Sequence, residues 1–169
     1  MDTAAPHSHA LRRGRRSIIG QIHLVTFRTD GCQQFFNEWF AGVCVVREMK
    51  RAKEERTADT LSYVVMPDHV HWLLQLKQGT LSRLVRAVKS RAAIAYNEWA
   101  GRSGPVWQVG FHDHALRSDE QVVAAARYVV ANPLRKALVT EIGQYPLWDA
   151  IWLDENHRGQ ARSHSLLAP

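Results

Sequence analysis

The spacing of apolar positions changes several times along this chain, and each change marks an element. From Ser17 to Arg28 the residues Ile18, Ile19, Ile22, Leu24, Val25 and Phe27 form a β-branched, apolar run that Thr29-Asp30-Gly31 closes as a turn. The period then lengthens. Phe36, Trp39, Phe40, Val43 and Val46 recur at three- and four-residue steps, which predicts a helix whose charged end, Arg47 to Arg56, runs toward solvent. Leu61 to Met66 and Val70 to Leu76 read as two short strands joined at Pro67-Asp68, a hairpin. A long amphipathic helix follows, with Leu81, Leu84, Val85, Val88, Ala92, Ala95 and Trp99 on one stripe and an end at Gly101 to Pro105. Val106 to Arg117 predicts a fourth strand with its approach loop. Ser118-Asp119-Glu120-Gln121 reads as a capping box that opens a last helix.

The order strand, helix, strand, strand, helix, strand, helix selects an α+β fold. A ferredoxin-like, split βαβ two-layer sandwich accommodates the first six elements, with an antiparallel sheet and helices on one face. The last helix is then an addition to that frame. We expect a basic arm over residues 1–16, a single domain over 17–152 and a tail over 153–169. A chain of 169 residues buries an adequate core without disulfide or metal staples.

Composition narrows the class. The formal charge of +6 and a pI near 9.7 favour a polyanionic partner, nucleic acid first, with an ordinary basic surface as the alternative. Cys32 and Cys44 form neither a disulfide framework nor a four-ligand zinc motif and read as reduced thiols. Arg12, Arg13, Arg15 and Arg16 are not followed by an apolar segment of the signal-peptide kind, and no run approaches the ~20 apolar residues of a membrane span. A cytoplasmic, bacterial protein is expected, nucleoid-associated when bound to DNA.

Chemistry concentrates at His69 and His71. Side chains alternate across a strand, so these two imidazoles share one face and can share one cation, while Val70, Trp72, Leu74 and Leu76 point the other way into a core. The same spacing recurs at His7/His9 and at His112/His114, so spacing alone does not single the pair out. On the last helix Tyr128 and Asn132 stand four residues apart and therefore one turn apart on the same face. Each also has a plain structural reading, Tyr128 as packing and Asn132 as a cap at a helix break before Pro133.

Together these residues resemble a known family. The motif Met66-Pro67-Asp68-His69-Val70-His71, then Trp107-Gln108, Gly110-Phe111-His112-Asp113-His114, Arg127-Tyr128, Asn132-Pro133-Leu134-Arg135 and Leu138-Val139 is similar to that of the single-tyrosine HUH transposases. Within that IS200-like superfamily the match is to the REP-associated tyrosine transposases, and it spans roughly Ser17 to Trp148. The resemblance implies that His69 and His71, with Asn132 as third ligand, hold a divalent cation, Mg2+ or Mn2+, and that Tyr128 is the nucleophile. It also implies metal-dependent cleavage and strand transfer of single-stranded DNA beside a REP-type hairpin, through a 5′-phosphotyrosine bond. A phenol is only on the order of 0.1% ionised at neutral pH, so a route for its proton must exist, and the sequence does not name the base. Imidazoles and an amide oxygen are unusual for Mg2+, so Mn2+ or Zn2+ is expected to bind more tightly in vitro.

Further residues fall into place around this reading. Arg83, Arg86, Lys89 and Arg91 on the second helix, with Arg12, Arg13, Arg15 and Arg16 in the arm, are expected to contact DNA phosphates. His112, Asp113 and His114 are expected to be structural or to touch substrate, and Trp107 and Phe111 either stack on bases or belong to the core. Two other classes fit the same residues: a non-catalytic DNA- or RNA-binding protein on this fold, and an HUH nuclease of the replication-initiator or relaxase kind. Monomer and homodimer are both compatible, the second allowing the tyrosine to act in trans.

Overall fold

The computed structural model describes residues 17–152; the predicted arm and tail, with Arg12, Arg13, Arg15 and Arg16, lie outside the described residues. The elements are β1 (Ile22–Arg28), α1 (Trp39–Glu54), β2 (Ala58–Met66), β3 (His69–Leu76), α2 (Leu81–Trp99), β4 (His112–Leu116), α3 (Asp119–Arg135) and β5 (Trp148–Ala150). The sheet runs β4-β1-β3-β2-β5, every pair antiparallel. The crossover through α1 skips a strand position that β3 fills, and the crossover through α2 carries β4 to the far side of β1. That is the expected ferredoxin-like arrangement, with one strand added.

Alternation along the strands sorts side chains between two cores. Val25, Phe27, Val65, Val70, Trp72, Leu74 and Leu76 meet Val45, Met49 and Ala52 of α1 and Leu84, Val85, Val88, Ala92 and Tyr96 of α2. On the other face, Val64, Met66, Leu73 and Leu116 meet Val122, Ala125, Ala126 and Val129 of α3. The sheet is thus a middle layer. Full burial of one such side chain contributes about 1.5–3 kcal/mol, so the first face, which carries Trp72 and Phe27, supplies more of the stability.

Several sequence expectations need correction. The first strand starts at Ile22 rather than Ser17, and Ile18 and Ile19 are exposed. On α1, Trp39 and Phe40 are about half exposed (51% and 48%), because the buried stripe runs through Ala41, Cys44, Val45, Met49 and Ala52 instead. Phe36 is buried ahead of that helix. On α2 the stripe ends on Tyr96, which continues the 3.6-residue step from Leu81, and Trp99 falls off it. The fourth strand is only His112–Leu116; its approach is a loop pinned by a bridge between Thr29 and Trp107. The capping box is half formed. The Ser118 hydroxyl accepts from the Gln121 N–H, but the Gln121 side chain accepts from Arg117 rather than from Ser118. The strand β5 was not anticipated. Among the described residues, no helix is long and apolar enough to cross a membrane.

Candidate active site

Register decides which residues surround the histidine pair. Directly opposed residues of an antiparallel pair share a face. Arg28 opposes His69 and Thr26 opposes His71 on β1, while Met66 and Val64 oppose them on β2. The two imidazoles are buried, with ring centroids 4.8 Å apart at 83°. Each uses Nδ1 inward. His69 Nδ1–H donates to the Asp68 carboxylate at 2.5 Å, since a carboxylate can only accept, and this leaves Nε2 with its lone pair. His71 Nδ1 pairs with the Thr26 hydroxyl at 2.8 Å, and the same tautomer there frees the second Nε2. Burial first, then the charges of His69 and Arg28, push the His71 pKa down to about 3 against the pull of Asp68, so this ring is neutral at physiological pH.

The roof of the site is α3. Its buried stripe of Val122, Ala125, Ala126 and Val129 includes two alanines whose small side chains let the helix approach the sheet closely. Tyr128 stands beside that stripe, partly exposed, with its ring centroid 5.3 Å from that of His71 at 72°. The Arg135 guanidinium lies 5.3 Å from the same phenol ring, a cation–π distance.

Asn132 is buried one turn beyond Tyr128, and the helix does not break before Pro133 but continues to Arg135. The Asn132 side-chain amide donates to Tyr128 O at 2.8 Å and, more weakly, to Val129 O at 3.5 Å. Val129 O is the carbonyl that Pro133, lacking an N–H, leaves unpaired. With its NH2 group so used, the Asn132 side chain has only Oδ1 left to accept from or coordinate another group. Two imidazole Nε2 atoms on the strand and an amide oxygen on the helix have the donor chemistry that fits a divalent cation such as Mn2+.

The structure brings His71 into contact with both His69 and Tyr128. It places the α2 cations elsewhere, on the opposite side of the sheet. Arg83 and Arg86 are exposed there, and Arg91 pairs with Glu55 at 3.0 Å. Lys89 is tied inward, its ammonium donating to Gln108 O at 2.7 Å and Gly110 O at 2.6 Å, and burial pushes its pKa down to about 8. Trp107 packs against Phe27 and Phe36, and Phe111 is buried, so both belong to the core rather than to a base-stacking surface. On β4, Asp113 turns to the α1/α2 face, 3.6 Å from buried His23, while His112 and His114 fall on the same face as the site. Sequence reading missed the partners Thr26, Asp68 and Arg28. Asp68 adjoins His69 and could have been found by proximity; the other two required the strand register.

Comparisons with known proteins identify the family and the fold. A family model described as "Transposase IS200 like" matches residues 20–132. A Haemophilus influenzae protein assigned as a REP-associated tyrosine transposase is 23% identical over 141 residues, covering 77% of this chain and 74% of its own. The REP-associated tyrosine transposase of Escherichia coli K12 is 24% identical over 98 residues, 57% of this chain and 56% of that one. Among solved structures, a REP-associated tyrosine transposase bound to a REP hairpin superposes with a TM-score of 0.67 at 22% identity, covering 92% of this chain and 86% of that one.

Proposed function

Because the chain belongs to the IS200-like transposases, enzymes that cut and rejoin DNA, we propose that it cleaves single-stranded DNA beside REP-type hairpins through a 5′-phosphotyrosine bond to Tyr128. The contact between the Tyr128 ring and His71 carries this reading, because it joins the nucleophile to the cation-binding pair within one chain. The relatives named for REP association and the hairpin-bound structural neighbour support the choice of substrate.

His69 and His71 through Nε2, with Asn132 through Oδ1, would hold a divalent cation, which when bound supplies positive charge at the scissile phosphate. Asp68 and Thr26 hold the two rings in the tautomer that this requires. The Tyr128 oxygen attacks phosphorus; the Oη–P bond forms as the P–O3′ bond breaks, and the departing 3′-oxygen takes up a proton. With the His69 and His71 Nε2 atoms committed to the cation, neither ring serves as the base, and the partly exposed Tyr128 passes its proton to solvent. The tyrosyl phosphodiester keeps the energy of the cleaved bond, so attack by another 3′-OH reverses the step and joins strands.

The tyrosine helix lies over its own chain's histidines, which supports closure of the site in cis by a single copy. Arg83 and Arg86, exposed on the far face, serve the hairpin rather than the scissile strand, as do the N-terminal arginines. The setting is the bacterial cytoplasm.

The test is adduct formation. A labelled single-stranded hairpin oligonucleotide mixed with the protein and Mn2+ or Mg2+ should give a denaturant-resistant covalent complex and a free 3′-OH fragment, and Tyr128→Phe should give neither. Cleavage by that variant would remove Tyr128 from its role. Tight hairpin binding with no adduct in Mg2+, Mn2+ or Zn2+ would make the chain a binding protein instead.

A further inference from the structure

The catalytic face of the sheet is roofed over only part of its width. The helix α3 packs on β2, β3 and β5, and touches β4 through Leu116 at its far end. Beyond the part of β1 where Ile22 and Leu24 pack under α3, the two strands present Thr26, Arg28, His112 and His114 to this face. Arg28, His112 and His114 are exposed, and neither strand directs a carboxylate to this side, because Asp113 turns to the other. His112 opposes Thr26, which holds His71, so one row of the sheet runs from the open edge to the cation-binding pair. Two strand spacings of about 4.8 Å separate its ends, so His112 lies roughly 10 Å from His71.

Exposed imidazoles on an edge strand do nothing for the core. Among the described residues neither the His112 nor the His114 side chain has a hydrogen-bond partner, while Asp113 between them faces His23. Their N–H groups, with the Arg28 guanidinium beside the site, form a donor-rich surface that leads to the reaction centre, where the one nearby carboxylate, Asp68, is engaged by His69. Such a surface suits a polyanion laid across it.

We infer that this open half-face is the track for the single-stranded segment flanking the scissile phosphate. His112 and His114 donate to phosphate oxygens of the flank, and Arg28 holds the phosphate next to the one that is cut. This rests on the reading of the site given above. It adds that the flank, rather than the hairpin, is held by β1 and β4.

Binding is measured with Tyr128→Phe as background, so that no adduct forms, on hairpin oligonucleotides that differ only in the length of their single-stranded flank. Lengthening the flank should tighten binding. Adding His112→Ala and His114→Ala together should remove most of that gain, about tenfold, and leave affinity for the flankless hairpin unchanged. Adding Arg28→Gln should lower the slope of log affinity against log salt by about 1 on flanked substrate only. Equal loss on flanked and flankless hairpins would place the hairpin stem on this face and overturn the inference, as would an unchanged gain in the histidine variants. Adduct formation by the parent protein is scored separately, so failure of the track and failure of the tyrosine assignment are distinguishable.

Discussion

The two faces of this sheet are made by the same strands and do opposite work. Along β3, Val70, Trp72, Leu74 and Leu76 enter the α1/α2 core, while His69 and His71 face the tyrosine helix and form the proposed reaction centre. One face is continuous and apolar. The other is apolar only where α3 needs to be anchored, around Leu73, Val64 and Met66, and polar where chemistry is placed. Binding residues can therefore change without loosening the fold, provided that the register holds. A slip of one residue would exchange the two sets.

The contrast can be tested by substitution, beginning where the largest effect is expected. Trp72→Ala should cost about 3–5 kcal/mol in urea unfolding, whereas Tyr128→Phe, which removes one partly exposed hydroxyl, should change stability by less than about 0.5 kcal/mol. Comparable losses would mean that the faces are not divided in this way. Next, Thr26→Val or Asp68→Ala should weaken Mn2+ binding by about 10–100-fold in calorimetric titration while both variants remain folded, because each frees a ligand ring to turn. Unchanged affinity would show that the rings are held by packing alone.

The smallest effect is a pH dependence on the apolar side. Burial lowers the Lys89 pKa from 10.5 to about 8, so across that window the unfolded chain binds the proton more tightly than the folded one. Stability from this group therefore rises with pH through the window, and the gain is lost again as pH falls through 8. Relative to Lys89→Met, the parent should gain up to a few degrees in melting temperature between about pH 8 and 10, the side chain being partly solvated. A constant difference would show that the ammonium is not desolvated.

How far the sequence reveals this molecule depends on how local each signal is. The hairpin and its histidine pair are legible because two-residue alternation needs no knowledge of neighbours. The phase of α1 was misread because Trp39 and Phe40 are apolar yet exposed, and apolarity was the only guide. The helix end at Asn132 was misread because the side-chain amide covers the carbonyl left by Pro133, an arrangement visible only in three dimensions. Thr26 and Arg28 lie on a strand far from His69 and His71 in sequence. Only pairing reveals them. The strand β5 is three residues long, without alternation, and is specified by the open edge of β2.

The segment that follows the tyrosine helix binds both layers together. The Tyr145 hydroxyl donates to Val65 O at 2.7 Å, the Val65 N–H donates to Leu147 O at 2.8 Å, and Tyr145 packs against both cores. Leu147 lies so close over α1 that a Cβ at Gly42 would sit 2.3 Å from its Cδ1. The family match ends at residue 132, but the folding unit reaches Ala150. A chain trimmed to the matched segment would keep His69, His71, Tyr128 and Asn132, the proposed ligands and nucleophile, yet lose the clasp that holds α3 and α1 to one sheet. The inherited chemical unit and the cooperative unit have different ends.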